Sequence, residues 1–257
     1  MSFIAALVLT LAPAPLPEPS AQGVLEVNGV SLAFARFGAK DGVPVVLLHG
    51  GGGTFAHWAG QIPTLGKTHP VLAFDARGHG RSTRGTEPFS YALMARDVDA
   101  ALEKLDIPEA HVVGWSDGGI VGLELGLKFP KRVRSLVLFG VNFDASGGQK
   151  GTSASVEAYW KRCRQDTKDF DGLLALLRPM WRAEPRLTPA QLATIAAPTL
   201  VLLAEKDELI RAAHVKALAK AIPNATLVTL EQAGHIAPWE VPQPFADAVF
   251  NFLARLP

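Results

Sequence analysis

The nine residues Val112-Val113-Gly114-Trp115-Ser116-Asp117-Gly118-Gly119-Ile120 restrict this chain more than any other stretch, because they read as a buried strand turning into a helix through G-x-S-x-G. Ala110 to Val113 forms a short apolar strand, and Ile120, Val121, Leu123, Leu125 and Leu127 continue as a largely apolar helix that Pro130 stops after Phe129. Gly114 and Gly118 remove Cβ atoms where strand and helix crowd each other, which leaves the hydroxyl of Ser116 at the tip of the turn. Alone, the motif also describes a glycine-rich turn with a surface serine. Its weight comes from its surroundings.

Those surroundings alternate strand and helix. Val24 to Val27 and Leu32 to Phe37 flank Asn28-Gly29, a hairpin signal. Val45 to Leu48 and Val71 to Phe74 are unbroken apolar runs, as expected of strands covered on both faces. Ser90 caps a helix with the stripe Met94, Val98, Ala101, Leu102 and Leu105. Strands are expected at Val133 to Phe139, Thr199 to Ala204 and Thr226 to Leu230, with helices near Ala212 to Ala221 and Phe245 to Leu253. The pattern predicts an α/β fold whose mostly parallel sheet of about eight strands carries helices on both faces and binds ligands beyond the carboxyl ends of the strands. Between Asn142 and Thr194 the alternation lapses into a polar Gly/Ser segment, helical patterns around Val156 to Arg164 and Phe170 to Leu177, and Pro-containing turns. We read residues 142–194 as a small helical cap inserted between core segments 22–141 and 195–257.

With 257 residues, 48% of them hydrophobic and 19% charged, the chain can bury one sizeable α/β core. A net charge of +1 without basic runs leaves no footprint for nucleic acid, so a small-molecule partner is expected. The single cysteine, Cys163, has no neighbouring metal ligands, and the seven histidines form no H-E-x-x-H, so no metal or cofactor is expected. Phe3 to Ala12 is apolar and runs into the Pro-rich stretch Pro13 to Ser20, which resembles a secretory leader over residues 1–21. The apolar run falls short of the ~20 residues that span a bilayer. A functional leader implies a periplasmic or secreted protein whose mature chain begins between Pro15 and Gly23; without it, the protein is cytoplasmic.

On the strand, the elbow and the helix after it, the sequence resembles the α/β-hydrolase fold family, and its G-W-S-D-G-G run is similar to the branch of valacyclovir hydrolase and the biphenyl-hydrolase-like proteins. The resemblance extends from about Val24 to the C-terminus. It implies a nucleophilic Ser116, an acid at Asp207 just after Thr199 to Ala204, and a base at His235 just after the last strand, in the chain order Ser, Asp, His. A serine hydroxyl is a weak nucleophile until such a base takes its proton and a carboxylate orients that base. Asp144, after Val133 to Phe139, is the alternative acid. The oxyanion hole falls to the amides of Asp117 and Gly51, with Gly52 the substitute for Gly51. Trp115 either lines the pocket or supports the elbow. In that branch the aspartate matching Asp117 goes with substrates that bear an α-ammonium group; a carboxylate near a helix start is the plainer account. Asp75-x-Arg77-Gly78-His79-Gly80-x-Ser82 resembles a family loop that braces the site. His57, His69, His111 and His214 show no partner pattern.

A serine nucleophile points to acyl transfer to water, with a simple carboxylic ester as the default substrate and an aminoacyl ester or lactone as variants. Cofactor-free perhydrolysis, carbon–carbon bond hydrolysis and a noncatalytic small-molecule receptor are alternatives on the same scaffold. Gly51-Gly52-Gly53-Thr54-Phe55-Ala56 also fits the dinucleotide pattern G-x-G-x-x-A, with Asp75 ending the next strand. Against it, the run follows an antiparallel pair, and no Tyr-x-x-x-Lys accompanies it, since Ala95 and Cys163 occupy the positions after Tyr91 and Tyr159.

Overall fold

The computed structural model describes residues 14–256, so most of the leader expected over 1–21 lies outside the described residues. Eight strands form one sheet: β1 (Ala21–Val27), β2 (Val30–Gly38), β3 (Val45–Leu48), β4 (Pro70–Phe74), β5 (Ala110–Trp115), β6 (Val133–Phe139), β7 (Thr199–Ala204) and β8 (Ala225–Leu230). Their spatial order is β1-β2-β4-β3-β5-β6-β7-β8. β2 runs antiparallel to both β1 and β4, and every other pair is parallel. The β1–β2 turn places Asn28 and Gly29 at φ 44° and 74°, the positive values that an Asn-Gly hairpin needs.

Side chains on a strand alternate between faces, and here each alternate set enters a different core. Val46, Leu48, Leu72, Phe74, Val112 and Leu138 join one buried cluster. Their neighbours Val45, Leu47, Val71, Ala73, Val113 and Phe139 join the other. This double burial is why the parallel strands read as unbroken apolar runs. The helices are α1 (Ile62–Leu65), α2 (Tyr91–Lys104), α3 (Asp117–Lys128), α4 (Ala154–Asp166), α5 (Phe170–Ala183), α6 (Pro189–Leu192), α7 (Ala212–Ala221), α8 (Ala237–Glu240) and α9 (Pro242–Leu253). Apolar side chains of α2, α3 and α7 cover the first face, and those of α1 and α9 the second. Among the described residues no helix is long and apolar enough to cross a membrane.

Two boundaries differ from expectation for physical reasons. β1 begins at Ala21 rather than Val24, because an edge strand gains its ladder with β2 without needing apolar residues on both faces. α5 runs on past Leu177 to Ala183 with Pro179 inside it. A proline removes one helical hydrogen bond, yet Leu177 and Met180 on either side are buried, and packing carries the helix through. This extension delivers Trp181 to the site.

Candidate active site

Ser116 sits between β5 and α3 with φ 54° and ψ −120°, a backbone conformation that L-residues rarely adopt. The surrounding chain enforces it. A Cβ on Gly118 would run into the carbonyl of Leu48, and one on Gly114 into the carbonyl of Gly118, so strand, turn and helix meet closer than any side chain allows. The serine side chain makes no capping bond to its own helix. Its Oγ lies 3.1 Å from His235 Nε2. His235 Nδ1 in turn lies 3.0 and 3.1 Å from the two carboxylate oxygens of Asp207.

Asp207 is fixed by its own turn, where Oδ1, the oxygen 3.0 Å from His235, also accepts the amides of Leu209 and Ile210 at 2.9 Å each. His235 is held at its backbone: its amide donates to Glu208 Oε2 at 2.9 Å, and its carbonyl accepts from Trp115 Nε1 at 3.0 Å. Burial pushes the Asp207 carboxyl up, but the facing His235 and the two amides outweigh it and hold the group below the usual range. Burial likewise lowers His235, and the Asp207 carboxylate, with Glu208 and Asp117 further off, reverses this and holds the imidazole above its ordinary value. Asp144, the alternative acid, lies elsewhere: its carboxylate accepts the amide of Ser146 and caps a short 3-10 turn, and His235 is not its partner.

Two backbone donors face the same space. Asp117 opens α3, where the first amides of a helix have no intrahelical acceptor, and Gly51 follows β3; neither amide has a hydrogen-bond acceptor among the described residues. Gly52 does not take the substitute role. Its amide donates to His79 Nε2 at 3.1 Å, and it is absent from the cavity wall. His79 Nδ1 is bound to the carbonyl of Arg77 at 3.0 Å, while His49 accepts the Ala76 amide at Nε2 (3.0 Å) and donates from Nδ1 to Gly50 O (2.8 Å). Since each ring accepts an amide hydrogen at Nε2, both imidazoles are neutral and protonated on Nδ1. Burial lowers both, His79 to about 4. The glycine loop is thus held by two neighbouring histidines whose ring centres lie 4.9 Å apart. Asp75, the acid a dinucleotide site would need, is buried and ties the Phe55 and Arg81 amides instead.

The cavity at Ser116 measures about 340 Å³. Its walls include Trp115, Tyr159, Trp160 and Trp181, and among the described residues its charged or titratable side chains besides His235 and the tyrosines are the carboxylates of Asp117 and Glu184. Trp115 both lines the cavity and, through Nε1, holds the backbone carbonyl of His235. Asp117 is engaged at each oxygen: Tyr91 Oη donates to Oδ1 and Trp181 Nε1 to Oδ2, both at 2.8 Å. Burial raises its carboxyl above the usual range, against the pull of those two bonds and of His235. Tyr159 Oη donates to Gly51 O at 3.1 Å. Sequence reasoning missed Tyr91, Tyr159, Trp181 and Glu184. The tyrosines had been weighed only as cofactor-motif candidates, and Trp181 lies beyond the proline taken to end its helix. Of the histidines without a motif, His57 bonds Asp166 at 3.0 Å and His214 accepts the Phe143 amide at 3.1 Å.

Residues 43–169 match the alpha/beta hydrolase fold family. The candidate carbamate hydrolase RutD of Pseudomonas syringae pv. syringae is 32% identical over 251 residues, covering 84% of this chain and 96% of that protein. The 3-oxoadipate enol-lactonase 2 of Acinetobacter baylyi is 26% identical, covering 90% and 96%. Among solved structures, a hydrolase from Pseudomonas aeruginosa PA01 superposes with a TM-score of 0.78 at 30% identity, covering 91% of this chain and 98% of that one.

Proposed function

The chain belongs to the α/β-hydrolase fold family, and from that premise we propose that it is a serine hydrolase that cleaves small-molecule carboxylic esters, including lactones, through an acyl-enzyme. The observation that carries this reading is the line Ser116 Oγ, His235 Nε2, His235 Nδ1, Asp207, opening onto a cavity beside two uncommitted amides. His235 takes the Ser116 proton as Oγ attacks the acyl carbon, and the developing oxyanion is met by the amides of Gly51 and Asp117. The C–O bond then breaks as imidazolium Nε2–H protonates the leaving oxygen. Water, deprotonated by the same nitrogen, attacks the acyl-enzyme; the carboxylic acid leaves and Ser116 regains its proton. Asp207 stays ionised and fixes the ring with Nδ1 protonated. No step needs a metal or an organic cofactor.

The named relatives are a candidate carbamate hydrolase and an enol-lactonase, and a carbamate and a lactone each contain an acyl carbon open to the attack proposed here. A fluorophosphonate probe, which captures activated serines, tests the reading: labelling confined to Ser116 supports it, and a folded protein that takes up no probe and hydrolyses no aryl ester, lactone, carbamate or aminoacyl ester overturns it in favour of a receptor.

A further inference from the structure

A further concavity is lined by residues of helices α4 and α5. Along α5 the wall is formed by Phe170, Leu174, Arg178 and Trp181, spaced so that they share one helical face. Along α4 it is Trp160, Lys161 and Arg164. The floor is therefore aromatic and aliphatic: Trp160 packs 6.1 Å from Phe170 and 6.1 Å from Trp181, ring centre to ring centre. The rim is cationic, and among the described residues no carboxylate lines the groove. Asp171 is the nearby acid, and its two oxygens are taken by the Arg164 guanidinium at 2.8 and 2.9 Å. Lys161 and Arg178 are exposed and have no hydrogen-bonded carboxylate among the described residues.

Charge therefore reverses across a thin wall. Trp160 and Trp181 line both spaces; the cavity at Ser116 presents the carboxylates of Asp117 and Glu184 and, among the described residues, no lysine or arginine, whereas the groove presents Lys161 and Arg178, with Arg164 paired to Asp171. The same two rings abut the glycine loop: a Cβ on Gly51 would stand 2.8 Å from Trp181, and one on Gly52 2.9 Å from Trp160.

We propose that this groove is a binding site for a free apolar carboxylate, its alkyl or aryl body on Trp160, Phe170 and Leu174 and its charge between Lys161 and Arg178. Such a molecule is the acid that hydrolysis of an apolar ester would release, an identification that rests on the reading of Ser116 above; the binding itself rests on the groove alone. An acid formed beside Asp117 and Glu184 is repelled there and attracted here, so the groove holds product outside the cavity.

Decanoate titrated into the full chain by calorimetry tests the site. Saturable binding is expected, weakened about 10-fold or more by the double substitution Lys161→Glu, Arg178→Glu and similarly weakened when decanamide replaces decanoate. Both positions are exposed, and Lys161→Gln, Arg178→Gln provides a milder pair should charge reversal perturb folding. Equal affinity for decanamide, or indifference to both charge pairs, overturns the proposal, as does attachment only to anionic phosphatidylglycerol vesicles. Decanoate binding that disappears once Ser116 carries a fluorophosphonate places the ligand in the catalytic cavity and also overturns it. Should Ser116 resist the probe, the hydrolase reading fails while the charge-pair arm still decides the groove.

Discussion

His79 Nε2 accepts the amide of Gly52 at 3.1 Å, which removes that amide from the candidate oxyanion site and leaves Gly51 as the free donor of the loop. The bond exists only while His79 is neutral, and burial keeps it so, lowering the group to about 4. In unfolded chain a histidine titrates near 6.5. Between those values the unfolded chain binds more protons than the native one, so the contribution of His79 is complete above about 6.5 and is lost as pH falls toward 4, at up to about 1.4 kcal/mol per pH unit. His49 acts in the same direction, and Asp75, raised by burial to about 6, opposes it. His79→Gln, which retains an acceptor for the Gly52 amide but does not titrate there, is expected to flatten the decline. Urea unfolding of both proteins at pH 7 and pH 5 checks this; parallel losses would dismiss His79 as the source.

Removing the proposed nucleophile gives the largest kinetic effect. Ser116→Ala is expected to lower kcat on the order of a million-fold with an unchanged melting transition, and His235→Ala comparably. Asp207→Asn should cost on the order of 10⁴, because an amide no longer fixes the ring with Nδ1 protonated. Stopped assays on an aryl ester, paired with melting curves, measure each. If Asp144→Asn were the damaging substitution and Asp207→Asn harmless, the acid would be reassigned, against the 3.0 Å contact of Asp207 with His235.

His235 must be neutral to accept the serine proton, and its surroundings hold it above 6.5. The rate kcat/KM is therefore expected to rise with pH to a plateau, with its midpoint above the ordinary histidine value. EDTA should change nothing. A profile flat from pH 5 to 9 would remove His235 as the base, and activity lost to EDTA and restored by a divalent metal would remove the metal-free mechanism.

Asp117 joins Tyr91 of α2 to Trp181 of α5 through its two oxygens, and an amide cannot accept from both. Asp117→Asn is expected to destabilise the fold by about 1–3 kcal/mol and to lower turnover of neutral and aminoacyl esters alike. Trp181→Phe should show a smaller loss of the same kind. A drop of about 10-fold or more confined to aminoacyl esters would instead show that the carboxylate reads an ammonium group.

How much of this was legible depends on where a residue's role is encoded. Ser116 and Asp207 stand out because each follows a buried strand whose apolar run is visible by itself, His235 because it follows the short last strand β8, which is mostly exposed, and Gly51 because a glycine run marks the end of β3. The roles of Asp117, Gly52 and Trp115 depended on partners far along the chain. Nothing near Gly52 announces His79, and Trp115 meets the carbonyl of His235 across 120 positions. Local periodicity missed α5's second half, where tertiary packing overrides a proline. The wall of the cavity was the least readable part, since an aromatic residue on a helix has the same local pattern whether it faces a core or a cavity.

Among the bonds that tie the segment between β6 and β7 to the candidate site, three stand out: Trp181 to Asp117, Tyr159 to the carbonyl of Gly51, and Gln149, at 2.7 Å, to the carbonyl of Asp207. One anchor lands beside the helix amide, one on the glycine loop and one on the acid turn. Change in this segment is thereby channelled: a side chain such as Val156 makes no such bond and can vary, whereas Gln149, Tyr159 and Trp181 form a footprint that any replacement segment must reproduce to keep the turns at Gly51, Asp117 and Asp207 in place.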